Sequence, residues 1–137
     1  CRAPSMLLSP DILNPAKRKS SLAWNYYPSY DEYVQLMHDF QSQHPGLCEL
    51  KSIGKSVLGR DLLFIHFMPS DSLISKPQIM YTATMHGDET TPYVLMLHLI
   101  DYLLNDYDSN SRIRRLLDSL DIWINPLANP DGTYAGG

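Results

Sequence analysis

Tyr33, Leu36, Met37 and Phe40 recur three and four residues apart, the spacing that gathers apolar side chains on one side of an α-helix. Ser29-Tyr30-Asp31-Glu32 precedes them with the spacing of a capping box, and His44-Pro45-Gly46 stops the pattern, which predicts an amphipathic helix over 30–43. The period then shortens. Two strand-like segments, 47–53 and 61–68, flank a turn at 54–60 that holds two glycines, and a β-hairpin is the economical reading. A third strand is expected over 77–85, where Ile79, Tyr81, Ala83 and Met85 alternate with Gln78, Met80, Thr82 and Thr84; the mixed polarity suggests burial on both faces.

Thr91 can cap a further helix with Pro92 at its first position, and the nearly unbroken apolar run to Leu104 places that helix largely inside a core. A shorter, more polar helix over 111–120 and a fourth strand over 121–125 follow. Asn129-Pro130-Asp131-Gly132 has the chemistry of a turn, with proline fixing one dihedral and glycine permitting a positive one. Helices alternating with strands predict an α/β sheet covered on both sides. The first 25 residues, with prolines at 4, 10 and 15 and a basic run at Lys17-Arg18-Lys19, show no apolar period and read as a leader or surface arm.

Composition narrows the functional classes. A net charge of −4 over 137 residues lacks the basic excess of a protein that holds a phosphate backbone, so nucleic acid is not an expected partner. The apolar run is broken by His98 and Asp101 and falls short of the ~20 residues a membrane span needs. Cys1 and Cys48 are the two cysteines, without the spacing of a thiolate zinc site. A cysteine at position 1 is also what a processed bacterial lipoprotein presents, which makes a lipid anchor at Cys1 one expectation.

The candidate chemistry lies at His86-Gly87-Asp88-Glu89, where a buried strand gives way to a helix, the place at which open α/β sheets present ligand-binding groups. His86 and Glu89 can reach one divalent ion when Gly87 lets the backbone turn sharply between them. The bare spacing is weak, since a His-x-x-Glu arises by chance in about one such chain in ten. Asp88 reads as a solvated turn carboxylate. His98 and Asp101 read as a partly buried hydrogen-bonded pair, because His98 is about 10 Å along the helix from its start and too far to join His86. His38, His44 and His66 read as surface or packing residues.

In order along the chain, Tyr27-Pro28-Ser29-Tyr30-Asp31-Glu32, Ile53-Gly54-Lys55-Ser56 with Gly59-Arg60, His86-Gly87-Asp88-Glu89, Asn125-Pro126 and Asn129-Pro130-Asp131-Gly132 resemble the zinc carboxypeptidases related to carboxypeptidases A and B. The resemblance runs from about Tyr26 to the end. It implies an α/β fold with a mixed, mostly parallel sheet between helices, phosphorylase/hydrolase-like, of whose eight strands this chain supplies the first four. It implies that 26–137 is the N-terminal half of a catalytic domain that continues beyond the chain, and that the protein works outside the cytoplasm, secreted, periplasmic or at the cell surface.

The implied activity is removal of C-terminal residues from peptides by Zn2+-activated water, with His86 and Glu89 as the first two zinc ligands. By the same resemblance the third ligand, the general base and the arginines that grip a substrate carboxylate come after Gly137, so no catalytic residue is expected within the chain and its substrate-binding residues are not identified. Gly54 and Gly59 look structural. Asp88 stands where pancreatic-type members carry a substrate-binding arginine, a departure that weakens any expectation of pancreatic-like subsites. Two other readings remain open: a relative that cleaves peptidoglycan stem peptides or glutamyl side chains, and a non-catalytic binding module of the same fold.

Overall fold

The computed structural model describes residues 22, 26–69 and 75–135. Helix α1 (Tyr30–Gln43) begins at a complete capping box: the Ser29 hydroxyl accepts from the Glu32 N–H, and the Glu32 carboxylate accepts from the Ser29 N–H at 2.8 Å. Two of the helix's otherwise orphaned donors are thereby satisfied. Its apolar stripe buries Tyr33, Met37 and Phe40, as the spacing predicts.

The hairpin follows as β1 (Cys48–Lys55) and β2 (Asp61–Phe67), paired antiparallel with Leu50 opposite Ile65. The register slips between Ser52 and Lys55. Gly54 (φ +134°) and Gly59 (φ +84°) take up the backbone conformations that this slip and the tight turn require, conformations that a Cβ disfavours. Strands β3 (Gln78–Thr82) and β4 (Asp121–Asn125) complete a four-stranded sheet in the order β1-β2-β4-β3. β2 and β4 are antiparallel, and β3 and β4 are parallel, with Ile79 beside Ile122 and Thr82 beside Asn125. The sheet is therefore mixed, and the parallel pair is the one that presents the candidate site.

Helices α2 (Thr90–Asp106) and α3 (Ser111–Ser119) connect β3 to β4. One core joins α1, α2, α3 and a single face of the sheet: Tyr33, Met37, Leu97, Ile100 and Leu117 pack with Ile65, Phe67, Ile122 and Ile124. Tyr33 and Tyr93 meet edge to face at 5.5 Å, an arrangement that favours the ring quadrupoles as well as burying area. Among the described residues no helix is long and apolar enough to cross a membrane.

Four details differ from the sequence expectation among the described residues. The sheet is covered by helices on one face only among the described residues; on the other, Ile53, Leu62, Phe64, Met80 and Trp123 line an open groove of about 590 Å³. Strand β3 is accordingly not buried on both faces. It is the edge of the described sheet, and Met80 and Tyr81 remain 63% and 49% exposed. It also ends at Thr82 instead of residue 85, because the chain leaves the ladder at Ala83, whose N–H donates to the Asn125 carbonyl while its own carbonyl accepts from Ala128. Finally, 129–132 is not an open turn with a positive-φ glycine. It forms the short helix α4 (Pro130–Tyr134), capped by the Asn129 side chain, which accepts from the Gly132 N–H at 2.9 Å.

The leader expected over residues 1–25 and the anchor at Cys1 lie outside the described residues, Leu22 excepted. Cys48, a free thiol, is buried in β1; burial pushes its pKa up to about 11, which leaves it an inert packing group.

Candidate metal centre

The parallel strands β3 and β4 end side by side, and the chains leaving them are laced together. Beyond the bonds at Ala83, the Asn129 N–H donates to the Thr84 carbonyl at 3.2 Å. Thr84 is held at φ +58° and is buried. A β-branched residue in that region is strained, and such strain collects where a surrounding structure enforces it for a purpose. Here its hydroxyl donates to the Glu89 carbonyl at 3.1 Å, folding residues 84–89 back on themselves. The Glu89 N–H closes the inner turn onto the His86 carbonyl at 3.1 Å.

This turn brings His86 Nδ1 to 3.2 Å from Glu89 Oε1. Two ligands held at the usual ~2.1 Å from a tetrahedral zinc stand about 3.4 Å apart, so the two donors are already near the separation that a shared ion imposes. A neutral imidazole nitrogen and a carboxylate oxygen are both ordinary zinc donors, and these side chains are 76% and 51% exposed, open to an ion and to further ligands. The pair fits zinc as an incomplete shell. Among the described residues no third His, Cys, Asp or Glu joins it.

The pair also explains where α2 starts. Glu89, and not Thr91, is the N-cap residue, and it makes no side-chain cap bond. Its carboxylate is turned toward His86 instead, which leaves the helix start without the cap that sequence pattern assigned to it. Asp88 is exposed, as expected of a solvated turn carboxylate.

Gly87 has a different role from the sharp turn expected of it. It does not adopt a positive φ. A Cβ there would stand 2.0 Å from the Gly132 carbonyl carbon and 2.5 Å from its Cα, so the turn at 86–89 lies directly on α4, backbone against backbone, with no room for a side chain. Asn129 reinforces the crossing, its amide donating to the Met85 carbonyl at 3.2 Å.

The remaining candidates stay apart from this centre. His98 and Asp101 are buried in α2, where the Asp101 carboxylate accepts from Asn105 at 2.9 Å. His66 lies at the far end of β2, stacked on Trp123 at 3.9 Å and 2.6 Å from Asp121 Oδ1, a packing role. His38 is exposed on α1, and burial lowers the pKa of His44 at its end. Sequence reading missed Thr84 and the partners of Asp131, described below, because neither leaves a local spacing signal.

The family model for zinc carboxypeptidases matches residues 33–136. The chain belongs to the zinc carboxypeptidase family. Over 94 residues it is 45% identical to carboxypeptidase M of Mus musculus, an alignment that covers 67% of this chain and 21% of that protein. It is 34% identical over 107 residues to a zinc carboxypeptidase of Saccharothrix mutabilis subsp. capreolus, covering 77% of this chain and 25% of the other. Among solved structures, carboxypeptidase A from Helicoverpa armigera superposes with a TM-score of 0.71 at 26% identity, over 86% of this chain and 29% of that one. The chain thus spans about a quarter of the length of the relatives it matches, and membership of the family implies zinc as the metal.

Proposed function

We propose that the full-length protein is a zinc-dependent metallocarboxypeptidase that releases residues from peptide C-termini, and that 26–137 is the N-terminal half of its catalytic domain. The observation that supports this most is the 3.2 Å approach of His86 Nδ1 to Glu89 Oε1 at the end of the parallel strand pair, in a chain of this family. His86 and Glu89 supply two ligands. When bound, zinc provides a Lewis acid and lowers the pKa of a coordinated water toward ~7. The chain's own contribution is to hold both donors on one short turn, braced by Thr84 and by α4, so that little ordering is left to be done when the ion arrives.

The third ligand, the general base and the carboxylate-binding arginines are proposed to come from the remainder of the protein. An extracytoplasmic location rests on the family resemblance. Peptides with free and amidated C-termini, offered to the full-length protein, test the reading. Release of single terminal residues from the free peptide and poor cleavage of the amide are expected, because arginines read a free carboxylate. Equal cleavage of both, cleavage of peptidoglycan stem peptides or glutamyl side chains in their place, or no hydrolysis at all would transfer the assignment to the related hydrolases or to a binding module.

A further inference from the structure

Asp131 sits one residue before Gly132, whose backbone carries Gly87, and its own carboxylate is bound by the β1–β2 turn. Oδ1 accepts from the Ser56 hydroxyl at 2.8 Å and from Arg60 Nη1 at 2.9 Å, while Oδ2 accepts from the Leu58 N–H at 2.9 Å. Three donors from the β1–β2 turn thus converge on one side chain 71 to 75 positions further along the chain. Burial alone would push the Asp131 carboxyl up, but the hydrogen bonds from Leu58, Ser56 and Arg60, and the Arg60 charge, hold it below the ordinary carboxylate range. It is therefore ionised at neutral pH. Charge-assisted bonds of this kind are the stronger class.

The turn is itself anchored. The Ser56 hydroxyl also accepts from the Arg60 N–H at 2.9 Å, and the Arg60 guanidinium lies over the rings of Tyr30, 5.7 Å away, and Tyr134, 5.9 Å away. Tyr30 in turn accepts from the Asp61 N–H at 2.6 Å. The start of α1, the hairpin turn and both ends of α4 are thereby joined around one carboxylate. The free surface of α4 is then pressed onto Gly87, between the two ligands.

We propose that Asp131 is a positioning residue for the His86–Glu89 pair, tying the rigid hairpin to α4 so that Gly132 holds the metal-binding turn in its ligating geometry. The inference rests on the proposed metal centre but reaches a group that touches neither ligand. Partners outside the coordination shell commonly change metal affinity 10- to 100-fold when lost.

The test is Asp131→Asn in the full-length protein, which keeps the shape and removes the charge, read by two measurements. Zinc dissociation constants from competition with a chelator are expected to rise about tenfold or more. In the metal-free protein, amide hydrogen exchange of residues 86–90 is expected to accelerate about tenfold, with the amides of β2 unchanged, because only the local brace is lost. Lys55→Ala is the control: it breaks the Lys55–Asp61 pair of the same hairpin without touching α4, and both readouts are expected to stay within about twofold. If Asp131→Asn does not fold, Ser56→Ala removes one of the three donors and is expected to give the same pattern at smaller size. The proposal is overturned if the folded Asp131 or Ser56 variant leaves both readouts at the wild-type values, or if Lys55→Ala changes them equally. A wild-type protein that binds no zinc at His86 and Glu89 would sink the metal centre, and the exchange measurement would still decide the brace.

Discussion

Gly87→Ala adds one methyl group where the turn at 86–89 crosses α4 backbone against backbone. The new Cβ would stand 2.0 Å from the Gly132 carbonyl carbon and 2.3 Å from its oxygen, whereas unstrained contact needs about 3.5 Å. The two segments must therefore separate by about 1.5 Å. No side chain can rotate out of the way, because the obstacle is main chain, and α4 cannot retreat freely while Asp131 and Asn129 hold it at either side. Overpacking of this kind costs about 1–3 kcal/mol, and the constrained surroundings place this case near the upper end. The displacement falls next to His86 and two residues from Glu89, the proposed ligands, so zinc affinity should drop more than global stability does; misplacement by about 1 Å is enough to cost 100-fold where geometry governs function.

Urea denaturation of the metal-free protein and chelator competition for zinc separate the two effects. Gly46→Ala provides the comparison. Gly46 has nothing within 4 Å of a built Cβ and differs only in its positive φ of +79°, so it should lose about 1 kcal/mol of stability with zinc affinity unchanged. A Gly87→Ala protein within about 0.5 kcal/mol of wild type, with unaltered zinc affinity, would refute the close-packed crossing as the reason for this glycine.

Glu32 gives a pH-dependent outcome. Hydrogen bonds from the Tyr26 hydroxyl and from the Ser29 hydroxyl and N–H lower its pKa from 4.5 to about 2; with the folded value depressed, its contribution to α1 is complete above pH 4.5 and is lost as the pH falls toward 2. A side-chain NMR titration with a midpoint near 4.5 would contradict this. Ile65, fully buried at the centre of the sheet between Leu50 and Ile124, should cost about 3–4 kcal/mol on change to alanine, measured by denaturation. In the full-length protein, Glu89→Gln should lower peptidase activity by about 100-fold or more as a charged ligand is lost, while Asp88→Asn, exposed on the same turn, should change it little; equal effects of the two substitutions would remove Glu89 from the metal shell.

Elements whose cause is local were legible in the sequence. The capping box and three-four spacing define α1 as Tyr30–Gln43, and β4 falls on Asp121–Asn125, both as the pattern predicts. The two glycines of the hairpin adopt the positive φ values that their turn suggests. Legibility failed where a residue answers to something distant. Glu89 caps α2 without bonding to it because its carboxylate serves His86, and Thr84 takes a glycine-like conformation that its own chemistry disfavours. Gly87 has no room for a Cβ because it lies on the Gly132 backbone, a Cβ at Gly132 would meet the Asn129 amide at 2.6 Å, and Asp131 finds its partners 71 to 75 residues away. The motif at His86-Gly87-Asp88-Glu89 pointed to the proposed ligands, but the scaffold that brings their side chains to 3.2 Å is tertiary.

Diffraction at the zinc absorption edge, from crystals of the full-length protein grown with zinc, examines the metal centre most directly. The anomalous map is expected to show one peak about 2.0–2.2 Å from both His86 Nδ1 and a Glu89 carboxylate oxygen, with the Nδ1 to Oε1 separation close to the 3.2 Å already present. A zinc ion bound elsewhere, or a peak reached by neither His86 nor Glu89, would contradict the account.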